Sequence, residues 1–136
     1  MRSTMPSLEE LLAAARGARE HAYAPYSQFR VGAAVETDDG SIVTGCNVEN
    51  ASYGLSICAE RAAIVRAVAE GHRVFRAIAI AGPEGVTTSP CGACRQFIAE
   101  FDPVMPIVFT GLFAPVQTTA AELLPHSFGP ATLSEA

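Results

Sequence analysis

The sequence predicts an α/β fold in which a mixed sheet is covered by helices on both faces. Three observations carry that expectation. Helix-like and strand-like segments follow one another in the order helix, hairpin, helix, strand, helix, strand. Residues 76–81 and 106–110 read as short strands apolar on both faces, as central strands are. The Asp39-Gly40 pair lies between two segments of strand character, where it favours a hairpin turn.

Taken in order, residues 7–23 read as a helix. Ser7 and Glu10 stand at capping-box spacing, and Leu8, Leu11, Leu12, Ala15 and Ala18 form an apolar stripe. The run Tyr23-Ala24-Pro25-Tyr26-Ser27 ends it. Residues 29–37 and 41–48 are the two hairpin strands. Residues 58–70 are helical, with Ala62, Ile64, Val65, Val68 and Ala69 apolar and Gly71 in the usual stop position. After the strand at 76–81, Ser89-Pro90 opens a third helix reaching about Phe101, with the proline placed in the first turn. A further buried strand covers 106–110, a short helix covers 118–124, and a tail containing proline and glycine follows. No repeat, low-complexity tract or linker interrupts the chain, and 136 residues suit one domain with a real core.

Composition narrows the function. Hydrophobic residues make up 49% of the chain and charged residues 17%, against about 25% charged in an ordinary soluble domain. The shortfall points to surface covered by other subunits. No apolar run approaches the roughly 20 residues of a membrane-spanning helix, and the N-terminus has no signal-peptide core, so a cytoplasmic protein is expected. The net charge is -5, and all nine basic residues are arginines scattered singly. That pattern argues against a nucleic-acid partner, which needs a basic patch for phosphate.

The chemistry lies in the cysteines: Cys46, Cys58, Cys91 and Cys94. Cys91 and Cys94 share one turn at a predicted helix start, and Cys58 begins the preceding long helix. Helix N-termini carry partial positive charge and favour thiolates, the form that binds zinc. Three ligands leave a tetrahedral zinc one open position, where the pKa of a bound water falls to about 7. Glu60, two residues beyond Cys58, is the candidate proton carrier. In a regular helix the two side chains diverge, so Glu60 reaches that water only if the metal lies off the helix end. Two other readings stand beside this one. A structural zinc could be closed by all four cysteines, although Cys46 is twelve residues from Cys58, inside a strand, where a cysteine is usually a small apolar residue. A redox pair at Cys91 and Cys94 would leave Cys58 and Glu60 without a role. Spacing favours the catalytic reading over both.

Cys58-Ala59-Glu60 followed by Pro90-Cys91-Gly92-Ala93-Cys94 resembles the zinc-deaminase signature. Tyr23-Ala24-Pro25-Tyr26-Ser27, Phe29-Arg30-Val31-Gly32-Ala33-Ala34, Asn47-Val48-Glu49-Asn50-Ala51-Ser52-Tyr53-Gly54 and Leu123-Leu124-Pro125-His126-Ser127-Phe128 narrow the likeness to the small homotetrameric cytidine deaminases. It runs from about residue 8 to 128, within a single domain over 1–136. The resemblance implies a three-layer α/β/α sheet, one Zn2+ per chain and a free nucleoside substrate. It implies that Asn47 and Glu49 hold the ribose hydroxyls, that Phe29 packs on the nucleoside, and that Ala59 and Ser89 offer backbone groups to the base edge. Tyr53 and Phe128 would come from neighbouring subunits, with Phe128 stacked over the pyrimidine. From their residue types alone, Phe29 and Phe128 read as core aromatics and Asn47 and Glu49 as polar residues at hairpin ends. Residues 111–119 depart most from the family pattern, where a longer polar strand is typical. His21, His72 and His126 match no ligand position.

Charge balance adds Arg61. Three thiolates and Zn2+ sum to one negative charge, which makes the metal a poorer Lewis acid. Arg61 lies three residues after Cys58 on a helix and can donate to its sulfur; Arg95, four residues after Cys91, is the second candidate. The expected reaction is hydrolytic deamination of cytidine and deoxycytidine in pyrimidine salvage, with Glu60 moving the protons. The rivals are a non-catalytic zinc-stabilised module and a deaminase for another free aminopyrimidine, such as a blasticidin-type antibiotic.

Overall fold

The computed structural model describes residues 6–134. The first helix, α1 (Leu8–Arg19), begins at Ser7, which accepts from the Glu10 backbone while the Glu10 side chain accepts from the Ser7 backbone. The expected capping box is therefore complete. The helix stops four residues earlier than expected because Tyr23 is drawn into an isolated bridge with Val48. Its N–H donates to Asn47 at 3.0 Å, and its carbonyl accepts from Glu49 at 2.8 Å.

Strands β1 (Gly32–Thr37) and β2 (Ile42–Cys46) form the hairpin. Asp39 Oδ1 accepts from the Thr37 hydroxyl at 2.5 Å and from the Ser41 N–H at 2.9 Å, while Gly40 takes φ 87°. Helix α2 (Ala59–Ala69) ends at Glu70, with Gly71 at φ 101°. Strand β3 (Phe75–Ala81) is followed by α3 (Gly92–Phe101) and β4 (Pro106–Phe109). Helix α3 opens at Gly92 with Cys91 as its cap, so Pro90 precedes the cap instead of lying in the first turn. Residues 118 and 119 are not helical: they complete β5 (Val116–Thr119), and α4 is only Ala120–Leu123. The tail carries a short helix, α5 (Pro130–Ser134).

Among the described residues, five strands are ordered β2-β1-β3-β4-β5, with β3 and β4 parallel and the other pairs antiparallel. The mixed sheet follows from the connections: a tight turn joins antiparallel strands, whereas the β3–α3–β4 crossover joins parallel ones. Alternation sorts the side chains into two cores. Ala33, Val35, Ile78, Ile80, Ile107 and Phe109 face α2 and α3. Ala34, Ala77, Ala79, Ala81 and Val108 face Leu11, Leu12 and Ala15 of α1. The second core is alanine-rich, so α1 lies close to the sheet.

Two glycines mark the tightest approaches of helix backbone to the sheet. A Cβ on Gly32 would fall 2.0 Å from the Ala15 carbonyl oxygen, and one on Gly45 would fall 2.3 Å from the Ala63 nitrogen. Gly45 therefore sets how closely α2, with the thiol at its start, lies on β2. Gly45→Ala should cost at least the ~1–3 kcal/mol of an overpacked core, because the obstruction is backbone. A denaturant midpoint equal to the native one would remove this constraint.

Candidate metal centre

Helices α2 and α3 begin at the same place. Cys58 is the N-cap of α2 and Cys91 the N-cap of α3; both have extended backbones, and neither side chain caps its own helix. The sulfurs are free to face each other, 4.0 Å apart. Cys94, in the first turn of α3 and fully buried, completes a set whose ligand atoms all lie within 4.8 Å of one another. A tetrahedral zinc with Zn–S bonds of about 2.3 Å spaces its sulfurs by about 3.8 Å, so the donor set fits zinc. Cys46 is not in this set; it is half-buried at the end of β2.

The loop leading to Cys91 is held by Thr110 at the end of β4. The Thr110 hydroxyl accepts from Gly82 N–H at 3.0 Å, and its carbonyl accepts from Thr88 N–H at 2.9 Å. Thr110 is buried and fully engaged, so this tie anchors the approach to the thiols.

Electrostatics separates the groups. Cys58 is drawn down to about 5, first by the hydrogen bond from Cys94 and then by Arg61, whose Nη2 donates to the Cys58 sulfur at 3.5 Å. Cys94 is pushed up by that same bond to Cys58 and by burial. Glu60 is 5% exposed, and burial, reinforced by the Cys58 charge, raises its carboxyl to about 7. The expected divergence of Cys58 and Glu60 does not apply, because Cys58 precedes the helical phase. Arg61 also has a buried Nε without a partner among the described residues. Arg95, the second candidate for the sulfurs, donates instead to the carbonyls of Pro90 at 2.7 Å and Leu123 at 3.0 Å.

Beside the thiols, a two-bond bridge between Val48 and Ile57 (3.0 and 2.9 Å) brings Asn47 and Glu49 alongside the start of α2. Neither is a loose hairpin-end residue. Asn47 Oδ1 accepts from Val31 N–H at 2.9 Å, and its Nδ2 donates to Phe29 O at 2.8 Å. Glu49 accepts from the N–H groups of Tyr26 and Ser27 at 3.0 and 3.1 Å and from the Ser27 hydroxyl, which holds its carboxyl below the usual range. Both residues keep spare hydrogen-bonding capacity.

Tyr26, Ser27, Glu49, Tyr53 and Ser56 line a cavity of about 300 Å³ whose lining does not include the thiols. Tyr26, Ser27 and Ser56 were given no site role from the sequence, although Tyr26 and Ser27 belong to the Tyr23–Ser27 motif that carries the family resemblance. Phe29 and Phe128 are not core aromatics: they are 38% and 58% exposed, and Tyr53 is 74% exposed, edge-on to Tyr26 at 5.9 Å. Ala59 is buried in the first position of α2, and Ser89 is exposed before Pro90. Among the histidines, His72 lies with Asp38 and Asp39 within 4.8 Å, an exposed grouping at the hairpin end that the sequence reading did not anticipate.

The comparisons agree with this geometry. A family model described as the cytidine and deoxycytidylate deaminase zinc-binding region matches residues 5–110. A cytidine deaminase of Sporosarcina psychrophila is 48% identical over 131 residues, covering 95% of this chain and 96% of that protein. One from Halalkalibacterium halodurans is 50% identical over 113 residues, or 82% and 86% of the two chains. The crystal structure of a cytidine deaminase from Burkholderia pseudomallei matches with a TM-score of 0.86 and 49% identity, covering 90% of this chain and 100% of that one. That of the Mycobacterium tuberculosis cytidine deaminase matches with a TM-score of 0.79 and 40% identity, covering 91% and 98%.

Metal analysis of single variants tests the donor set. Cys58→Ala, Cys91→Ala and Cys94→Ala should lose zinc or hold it much more weakly, Arg61→Gln should fold but retain it less well, and Cys46→Ala should retain one zinc per chain. Loss of zinc from Cys46→Ala would mean a closed, four-cysteine structural site.

Proposed function

The chain belongs to the cytidine deaminase family of zinc-dependent hydrolases, and from that premise we propose that it converts free cytidine and 2'-deoxycytidine to uridine and 2'-deoxyuridine with release of ammonia, as a step of pyrimidine salvage in the cytoplasm. The observation that carries the reading is the meeting of three thiols at two helix starts beside a buried carboxyl. Cys58, Cys91 and Cys94 would hold the zinc. When bound, the ion would supply Lewis acidity that makes water a nucleophile near neutral pH. A carboxyl lifted to about 7 can take and return a proton at little cost near that pH.

Glu60 removes a proton from the attacking water and delivers it to the ring nitrogen beside the 4-amino carbon. As the water oxygen adds to that carbon, the ring takes up the electron pair. Glu60 then carries the second proton to the amino group, which leaves as ammonia, and a carbonyl remains. Backbone groups of Ala59 and Ser89 meet the base edge, Asn47 and Glu49 bind the ribose hydroxyls, and Phe29 packs on the nucleoside. Arg61 offsets the thiolate charge through its contact with Cys58. Asn47 and Glu49 favour a ribosyl substrate over a blasticidin-type one. Deoxycytidine reacts as well if the 3'-hydroxyl is the one strongly read.

The site is shared in a homotetramer built from one deaminase domain per chain, with a core over about residues 8–128. Low charge and exposed apolar side chains around the cavity support this: Tyr26, Val48, Tyr53, Leu55 and Ile57 all lie open. Tyr53 and Phe128 then serve the site of a neighbouring subunit.

Glu60→Gln should keep fold and zinc while turnover of cytidine, followed by loss of cytosine absorbance, drops by about 10²–10⁴-fold; near-native turnover would remove Glu60 from the chemistry. In sedimentation run at assay concentration, activity should travel with a tetramer. A fully active monomer would rule out shared sites.

A further inference from the structure

We propose that Gln96, working with Arg95, is a positioning residue that fixes the C-terminal segment carrying Phe128 to the helix that carries two of the three thiols. The two residues follow Cys94 directly in α3. The half-buried Arg95 guanidinium, flanked by no carboxylate within ion-pair distance among the described residues, spends two hydrogen bonds on backbone: Pro90 O, just ahead of Cys91, and Leu123 O at the end of α4. Gln96 Nε2 donates to Phe128 O at 2.7 Å. Adjacent side chains of one helix thus hold both ends of the segment 123–128.

Between those ends the segment has little to define it. It is neither helix nor strand, Pro125 has no N–H to give, and His126 takes φ 56°, a left-handed conformation. Apart from the turn at Pro125 and His126, the backbone of 125–128 makes no hydrogen bond to another backbone group among the described residues. Where the exposed Phe128 ring projects therefore depends on the two ties from α3. The same helix carries Cys91 as its N-cap and Cys94 in its first turn, so one rigid element fixes both this chain's thiols and the Phe128 ring that, on the shared-site reading, it lends to a neighbouring subunit. The consequence for substrate rests on the reading that Phe128 stacks over the pyrimidine. A wandering ring then weakens binding while leaving the thiols and Glu60 in place.

Gln96 is exposed, so its variants should fold. Gln96→Ala should raise KM for cytidine about threefold to tenfold, the worth of one hydrogen bond, with zinc content unchanged and kcat within about twofold. Gln96→Glu keeps the length but has no proton to donate, and should behave like Gln96→Ala. In a Phe128→Ala background, Gln96→Ala should add nothing further to KM. A native KM in Gln96→Ala or Gln96→Glu, or an effect that adds in full to Phe128→Ala, overturns the proposal. A second readout separates it from the stacking reading. The chain has three tyrosines but no tryptophan, so Phe128→Trp installs a single tryptophan that can be excited beyond the tyrosine absorption. Adding Gln96→Ala should lower its anisotropy and increase its quenching by acrylamide. Unchanged anisotropy overturns the tie itself, whereas a native KM in Phe128→Ala overturns only the stacking.

Discussion

Two helices that start at one point organise this protein. The sulfurs of Cys58 and Cys91 stand 4.0 Å apart because each residue is the N-cap of its helix and neither uses its side chain to cap it. The helix starts supply positive partial charge where thiolates must gather. The position of α2 depends on Gly45, across which its backbone lies almost in contact with β2. The position of α3 depends on the β3–β4 crossover and on Thr110, which ties the preceding loop to the sheet. Small changes in how either helix packs would therefore be felt first at the sulfurs.

Around that point, burial and charge act in opposite directions on neighbouring groups. Burial lifts the Glu60 carboxyl to about 7, where a carboxyl still holds its proton part of the time. Cys58, two residues earlier, is drawn down to about 5 by Cys94 and Arg61. Two groups two residues apart in the chain are thereby shifted in opposite directions, the thiol down and the carboxyl up. The cavity beyond them is bounded by the side chains of Tyr26 and Tyr53, which stay exposed within one chain.

Much of the fold was legible along the chain. The Ser7–Glu10 capping box, the Asp39-Gly40 turn and the apolar runs of β3 and β4 each depend on neighbours within a few residues, and each is present in the structure. Long-range pairing overrode local propensity in two places. The first helix ends at Arg19 because Tyr23 bonds to Asn47 and Glu49, and Thr118 and Thr119 join β5 because they pair with Ile107 and Pro106. Arg95 was the clearest displacement. Its spacing from Cys91 suggested a sulfur partner, but the carbonyls it reaches include one 28 residues away, at Leu123.

The kinds of ligand atom, the carboxylate beside them and the helix starts that present them were all written in the order of residues, because capping, turn chemistry and helical phase are local properties. The meeting of Cys58 with Cys91 across 33 residues is not local, and neither is the hold of Asn47 and Glu49 on the 26–31 segment or the grip of α3 on residues 123–128. Those contacts exist only once the sheet has chosen its register and the helices have closed on its faces. Strand pairing and close packing join residues whose separation along the chain carries no information about their separation in space.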